Sequence, residues 1–165
     1  MKTELIISYP APVESVMSML SNPEYQRTRV QGRGLEKTDV SCGSHGSGHR
    51  IILTGVFPQN RVPAQAKRFI RGPISFTTAE TWTPRADETY AGTLTADLSG
   101  LPVAGGAAMV LRPGKDAQSC EQVIDLEFTV SVPLLGRRIE QEAVDHLGVV
   151  VRDEEKRAAQ WLAQQ

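Results

Sequence analysis

LLGRRIEQEAVDHLGVVVRDEEKRAAQWLAQQ, residues 134–165, is the stretch whose reading decides the fold. Ile139, Ala143, Leu147, Val150, Ala158 and Trp161 recur at steps of three, four or a multiple of those. That spacing keeps them on one stripe of a helix. Pro133 stands just before the start, where a missing N–H costs least. Arg137, Arg138, Glu140, Asp145, Arg152, Asp153 and Lys156 mostly fill the other side. An apolar stripe this long must lie against another layer, since propensity alone rarely holds a helix together.

Working outward, the segment before the helix alternates with period two. Ile124, Leu126, Phe128, Val130 and Val132 interleave with Asp125, Glu127, Thr129 and Ser131, so a strand over residues 118–132 is predicted with its apolar set towards the core. Similar runs predict strands over 4–9, 35–42, 49–57, 75–83, 89–98 and 104–112. Turn clusters separate most of them: Gly43 to Gly48, Ser99 to Pro102, and Pro113 to Asp116. Pro12 followed by Glu14 opens a short helix carrying Val13, Val16, Met17 and Leu20 on one side. Asn22 is placed to cap a second helix, with Pro23 at its first position and its end near Val30. Residues 58–72 break the pattern and read as a loop with a short helix, holding Pro58, Pro63, Ala64, Ala66, Lys67 and Phe69.

Short connections force antiparallel pairing. The expected architecture is α+β: a curved antiparallel sheet of six to seven strands around one long C-terminal helix, with two short helices after the first strand. One helix cannot fill the concave face of so wide a sheet, so a cavity between them is expected.

Composition narrows the function classes. A chain of 165 residues suits one domain, residues 1–165, with room for a sizeable core. The net charge of −1 predicts no strong field towards nucleic acid or a membrane surface. Cys42 and Cys120 match no CxxC or zinc spacing and read as reduced thiols of a cytoplasmic protein, with a disulfide between them as the alternative. No leader is expected, because strand-like residues begin at Glu4 without an apolar run before them. The longest uncharged run, residues 99–111, is too short and too glycine-rich to cross a bilayer, so no integral membrane segment is expected. No HxH, HExxH or DxD pattern predicts a metal, no phosphate-binding fingerprint predicts a nucleotide cofactor, and no GxSxG marks a nucleophile. Oligomeric state is not legible.

The run from Ser8 to Glu24, SYPAPVESVMSMLSNPE, resembles the opening of the START-like or SRPBCC (Bet v 1-like) superfamily. The whole chain resembles the DUF2505 family within it. The matching pieces are Glu80-Thr-Trp82, Gly100-Leu-Pro102 with Gly105-Gly106, residues 132–140, and Trp161-Leu162. These are structural signatures rather than catalytic ones. The resemblance implies the helix-grip fold and a cavity for a hydrophobic ligand, without fixing one activity.

The expected lining is Glu80, Trp82, Met109, Leu126 and Phe128 from the sheet, with Ala143, His146, Leu147, Val150 and Glu154 from the helix. Glu80 shares strand parity with Phe76, Thr78 and Trp82. An inward Glu80 is either a raised-pKa acid or base, or the partner of a cation, with Arg112 and the basic stretch Arg61, Lys67, Arg68 and Arg71 as candidates. Glu154 falls on the helix stripe, as a ligand anchor or as one half of an ion pair. His146 flanks that stripe. His45 lies in a turn, and His49 shares parity with Ile51 and Leu53. The expectation is binding of a lipid-like or polyketide-like molecule as carrier or sensor, with no catalytic residue assigned. The alternatives are an aromatase/cyclase-type enzyme and an interaction module with a closed core.

Overall fold

The computed structural model of the chain describes residues 1–61 and 67–165, and for Arg61 the backbone alone. The strands are β1 (Lys2–Tyr9), β2 (Glu36–His45), β3 (Gly48–Phe57), β4 (Ile74–Pro84), β5 (Tyr90–Ser99), β6 (Val103–Pro113) and β7 (Cys120–Val130). The helices are α1 (Val13–Leu20), α2 (Pro23–Val30) and α3 (Gly136–Leu162). One sheet runs β1-β7-β6-β5-β4-β3-β2, and every pair is antiparallel. This is the expected helix-grip arrangement with seven strands. The helix expected around Ala64 and Ala66 lies outside the described residues.

Local chemistry explains the elements that open the chain. Asn22 caps α2, its side chain accepting from the Glu24 N–H at 2.8 Å, and Pro23 takes the first helical position. α1 buries Val13, Val16, Met17, Met19 and Leu20. The β2–β3 turn uses Gly46 at φ +58°, a conformation a side chain disfavours.

The register aligns inward residues into rungs across the sheet. One rung reads Cys42, Ile51, Glu80, Leu94, Ala107, Leu126 and Thr3. The next, towards α1, includes Trp82, Gly92, Met109 and Ile124. Beyond it stand Tyr90, Leu111, Gln122 and Ile7. This half of the concave face is well filled: Trp82 and Leu111 are fully buried and Met109 nearly so. In the other direction lie Thr78, Ala96, Gly105 and Phe128. There Gly105 is exposed and the other three are half-buried, while Leu53 beside Thr78 and Phe76 beyond it are buried.

α3 runs along β7 and β1. Near its start the Val130 N–H donates to the Glu140 carboxylate at 2.8 Å; near its end the Ser8 N–H donates to Glu155 at 2.9 Å. Its inward stripe is Gly136, Glu140, Val144, Leu147, Val151, Glu154 and Ala158, all buried or half-buried. The expected stripe is therefore corrected by one residue at two places, since Ala143 and Val150 are exposed and Val144 and Val151 face in. The cause is that the inward position 140 carries a carboxylate, which the apolar pattern sets on the polar side. Ile139, Leu147 and Trp161 are half-buried and Ala158 is fully buried. Trp161 meets the Tyr25 ring edge-on at 5.5 Å.

Both cysteines are free thiols, and burial pushes the Cys120 thiol up to about 12. Gly92 is needed for packing rather than for a turn: a Cβ there would lie 2.7 Å from the Trp82 ring. Gly92→Ala is expected to cost roughly 1–3 kcal/mol by overpacking. Trp82→Phe in the same chain should recover part of that loss, which a double-mutant cycle of denaturant melts would read as coupling.

Candidate functional site

Where the filled half of the concave face meets the open half, charge is buried. Tyr25, Gln26 and Arg29 lie on the inward side of α2, Glu80 on β4, and Glu154 and Arg157 on α3. Arg29 lies at the centre. Its Nε and Nη2 donate to Glu154 Oε1 at 3.0 and 2.6 Å, and its Nη1 donates to Glu80 Oε1 at 3.1 Å and Gln26 Oε1 at 3.2 Å. Tyr25 OH donates to Glu154 Oε1 at 2.8 Å, and Arg157 Nη1 to Glu154 Oε2 at 2.8 Å. Trp82 Nε1 donates to Glu80 Oε2 at 3.2 Å. The fork of a guanidinium suits two carboxylates on different elements, which an ammonium matches poorly.

Electrostatics follow from that geometry. Burial pushes the Glu154 carboxyl up, but Arg29 outweighs it, helped by the hydrogen bonds from Arg29 and Tyr25 and by Arg157, so Glu154 is held below its ordinary value. Arg29 loses hydration on burial, yet Glu154 and Glu80 hold its proton more firmly than usual. The Tyr25 phenol is raised, first by burial and then by Glu154. Nearby, burial raises the Tyr9 phenol well above its ordinary value, with Glu154 adding to it; its OH donates to Gln122 Oε1 at 2.8 Å. Among the described residues no buried side-chain nitrogen or oxygen lacks a partner.

The structure brings together some of the expected lining and not the rest. Glu80 faces inward as its parity predicts, with Trp82 beneath it. The expected partners are corrected: Arg112 pairs with Glu121 at 3.2 Å, while Lys67, Arg68 and Arg71 are exposed. Met109 is buried, and Leu126, Phe128 and Leu147 are half-buried. Ala143, His146 and Val150 point to water, and His146 Nδ1 is 2.7 Å from the Glu142 carbonyl on its own helix. His45 is exposed and His49 half-buried. Among the described residues no group of His, Cys, Asp and Glu is placed to hold a metal ion, and no helix is long and apolar enough to cross a membrane.

Arg29, Tyr25 and Arg157 escaped the sequence reading. The available signal was the spacing in PEYQRTRV, residues 23–30, where Tyr25 and Arg29 fall one turn apart. A polar inward face carries no hydrophobic periodicity, so it did not register.

Two outcomes test this cluster. Arg29→Met removes the cation shared by two carboxylates, leaving Glu154 with Arg157 and Tyr25 and Glu80 with Trp82 alone, and is expected to cost roughly 3–5 kcal/mol in denaturant melts. Because the folded state depresses the Glu154 carboxyl, its contribution is present above the ordinary value of 4.5 and is lost as pH falls from there towards the folded value. Glu154→Gln should thus flatten the acid side of a plot of melting temperature against pH.

Solved structures share this architecture at low identity. Human STARD10 matches with a TM-score of 0.63 and 10% identity, covering 95% of this chain and 62% of that one. A norcoclaurine synthase from Thalictrum flavum matches at 0.60 and 13%, covering 99% and 94%. A START superfamily protein from Mycobacterium smegmatis matches at 0.53 and 15%, covering 95% and 96%. At these identities the likeness is one of fold. No curated protein matches the sequence. The family model described as protein of unknown function (DUF2505) matches residues 4–162, and on that extent the chain belongs to the DUF2505 family.

Proposed function

We propose that the chain binds a hydrophobic or amphipathic small molecule between the sheet and α3, as a carrier or sensor within a single START-like domain. The observation carrying this reading is the change across one rung of the sheet. Below Glu80, Trp82, Gly92 and Met109 are buried; above it, Leu53 and Phe76 on the β3–β4 side are buried, but Thr78, Ala96 and Phe128 are half-buried and Gly105 is exposed, although all four face inward. Small inward residues and unfinished burial leave room for an apolar guest, and Glu80 with Arg29 supplies a polar end. Leu126, Phe128 and Leu147 are its proposed apolar contacts, with Glu80 and Glu154 at the floor. The norcoclaurine synthase of Thalictrum flavum is known in complex with dopamine and hydroxybenzaldehyde, so ligands of that size are compatible with the fold.

An aromatase/cyclase-type reaction is the second reading, favoured by the convergence of two carboxylates and a phenol. Its difficulty is that Arg29 pairs with both carboxylates and holds Glu154 below its ordinary value, which makes it a weak proton acceptor. Binding without turnover fits the satisfied cluster better.

Long-chain fatty acids, fatty alcohols or apolar dyes should bind with roughly micromolar affinity, raising the melting temperature by linkage. Glu80→Gln separates the readings. A carrier loses affinity and keeps its fold, while a cyclase loses product formation and still binds. A purely structural Glu80 gives only a stability loss of roughly 1–3 kcal/mol. No thermal shift across a broad lipid and aromatic panel would favour the closed-core module.

A further inference from the structure

The strand pairing gathers three connections at one end of the sheet. Ser75 of β4 pairs with Ser99 of β5, and Val103 of β6 with Val130 of β7, so the segments before β4, between β5 and β6, and after β7 share that end. They also touch. The Ser131 N–H donates to the Pro102 carbonyl at 2.7 Å, and a Cβ on Gly100 would lie 3.4 Å from the Pro73 carbonyl.

This end is chemically unlike the rest of the chain. Residues 67–73, 99–102 and 131–138 read KRFIRGP, SGLP and SVPLLGRR: five cations and no acid, in a protein whose net charge is −1. Lys67, Arg68, Arg71, Arg137 and Arg138 are all exposed. Among the described residues, the exposed acid paired with them is Glu142, 3.1 Å from Arg138. Between the cations stand apolar tips. Leu134 is 104% exposed at φ +65°, so the backbone holds a leucine outward in a conformation that non-glycine residues avoid. Phe69 is 41% exposed, with the Arg68 guanidinium 4.7 Å from its ring centroid.

We propose that this end of the molecule docks on an anionic lipid bilayer, with Leu134 and Phe69 entering the headgroup layer and the five cations facing acidic lipid. Charge selects the occupant. Juxtaposed cations gain from the negative potential of an acidic leaflet, and exposed aliphatic and aromatic tips gain from the acyl boundary. Apolar tips alone would fit a second copy of this chain equally well, but two such ends would bring ten like charges together. The proposal does not depend on what the interior holds, and ligand binding in solution tests that question separately.

The test is cosedimentation of the full chain with phosphatidylcholine vesicles, and with vesicles in which about one-third of the lipid is phosphatidylserine. Binding to the acidic vesicles only, weakened by added salt, is expected. Arg137→Glu together with Arg138→Glu should lower that partitioning by roughly tenfold or more. Leu134→Ser should lower it also, and both variants should keep the parental melting temperature because these side chains are exposed. Equal binding to both vesicles, no binding to either, or folded variants that bind as well as the parent would overturn the proposal. So would a dimer seen by light scattering that Leu134→Ser abolishes in a chain that ignores vesicles.

Discussion

The arrangement depends on one buried guanidinium. Arg29 reaches from α2 to Glu80 on the sheet and to Glu154 on α3, so three elements distant in sequence share one planar cation. Removing a partner from such a set is expensive, because each group left behind has lost its water without gaining a substitute. Hydrophobic contact tolerates small slips in register, whereas a bidentate fork does not. Arg29 therefore fixes where α2 lies on the sheet and which face α3 turns inward.

The asymmetry of the concave face follows from that placement. α1 and α2 fill the half around Trp82, Leu111 and Tyr9, which are almost completely buried. α3 is tied at both ends to β7 and β1, by Glu140 and Glu155. The helix thus lies towards one margin of the sheet instead of its centre. Ala96 and Gly105, on the strands it does not follow, are half-buried and exposed. A wide sheet, a marginal helix and small inward residues leave unfinished burial above the ionic cluster.

What the sequence made legible divides along the same line. β7 was readable because Ile124, Leu126 and Phe128 alternate with charged or hydroxylated neighbours, and one-sided burial leaves that signature. Asn22-Pro23 was readable because capping and the first helical position are local requirements. The phase of α3 was not, because Glu140 stands at an inward position that a hydrophobic template scores as outward. Arg29 was hidden for a related reason. Its value comes from two carboxylates fifty-one and 125 residues away, and no window along the chain contains all three. Polar cores are specified by pairing across the fold, so one-dimensional periodicity cannot find them.

The charge balance of the cluster also bears on what a bound molecule would present. Glu80 and Glu154 face Arg29 and Arg157, two negative charges against two positive. Glu80 also accepts from Trp82 Nε1 at 3.2 Å, and Glu154 from Tyr25 at 2.8 Å. A ligand carboxylate brought to this floor would gain from Arg29 but would also meet the Glu80 carboxylate that Arg29 holds at 3.1 Å, in surroundings that screen poorly. A hydroxyl is better matched: it can donate to a carboxylate lone pair without adding charge to the cluster. On the binding reading, the polar end of the guest is then an uncharged donor, and an alcohol should outcompete the acid of equal chain length. The sheet around the cluster supplies the rest of the recognition, through apolar area rather than charge.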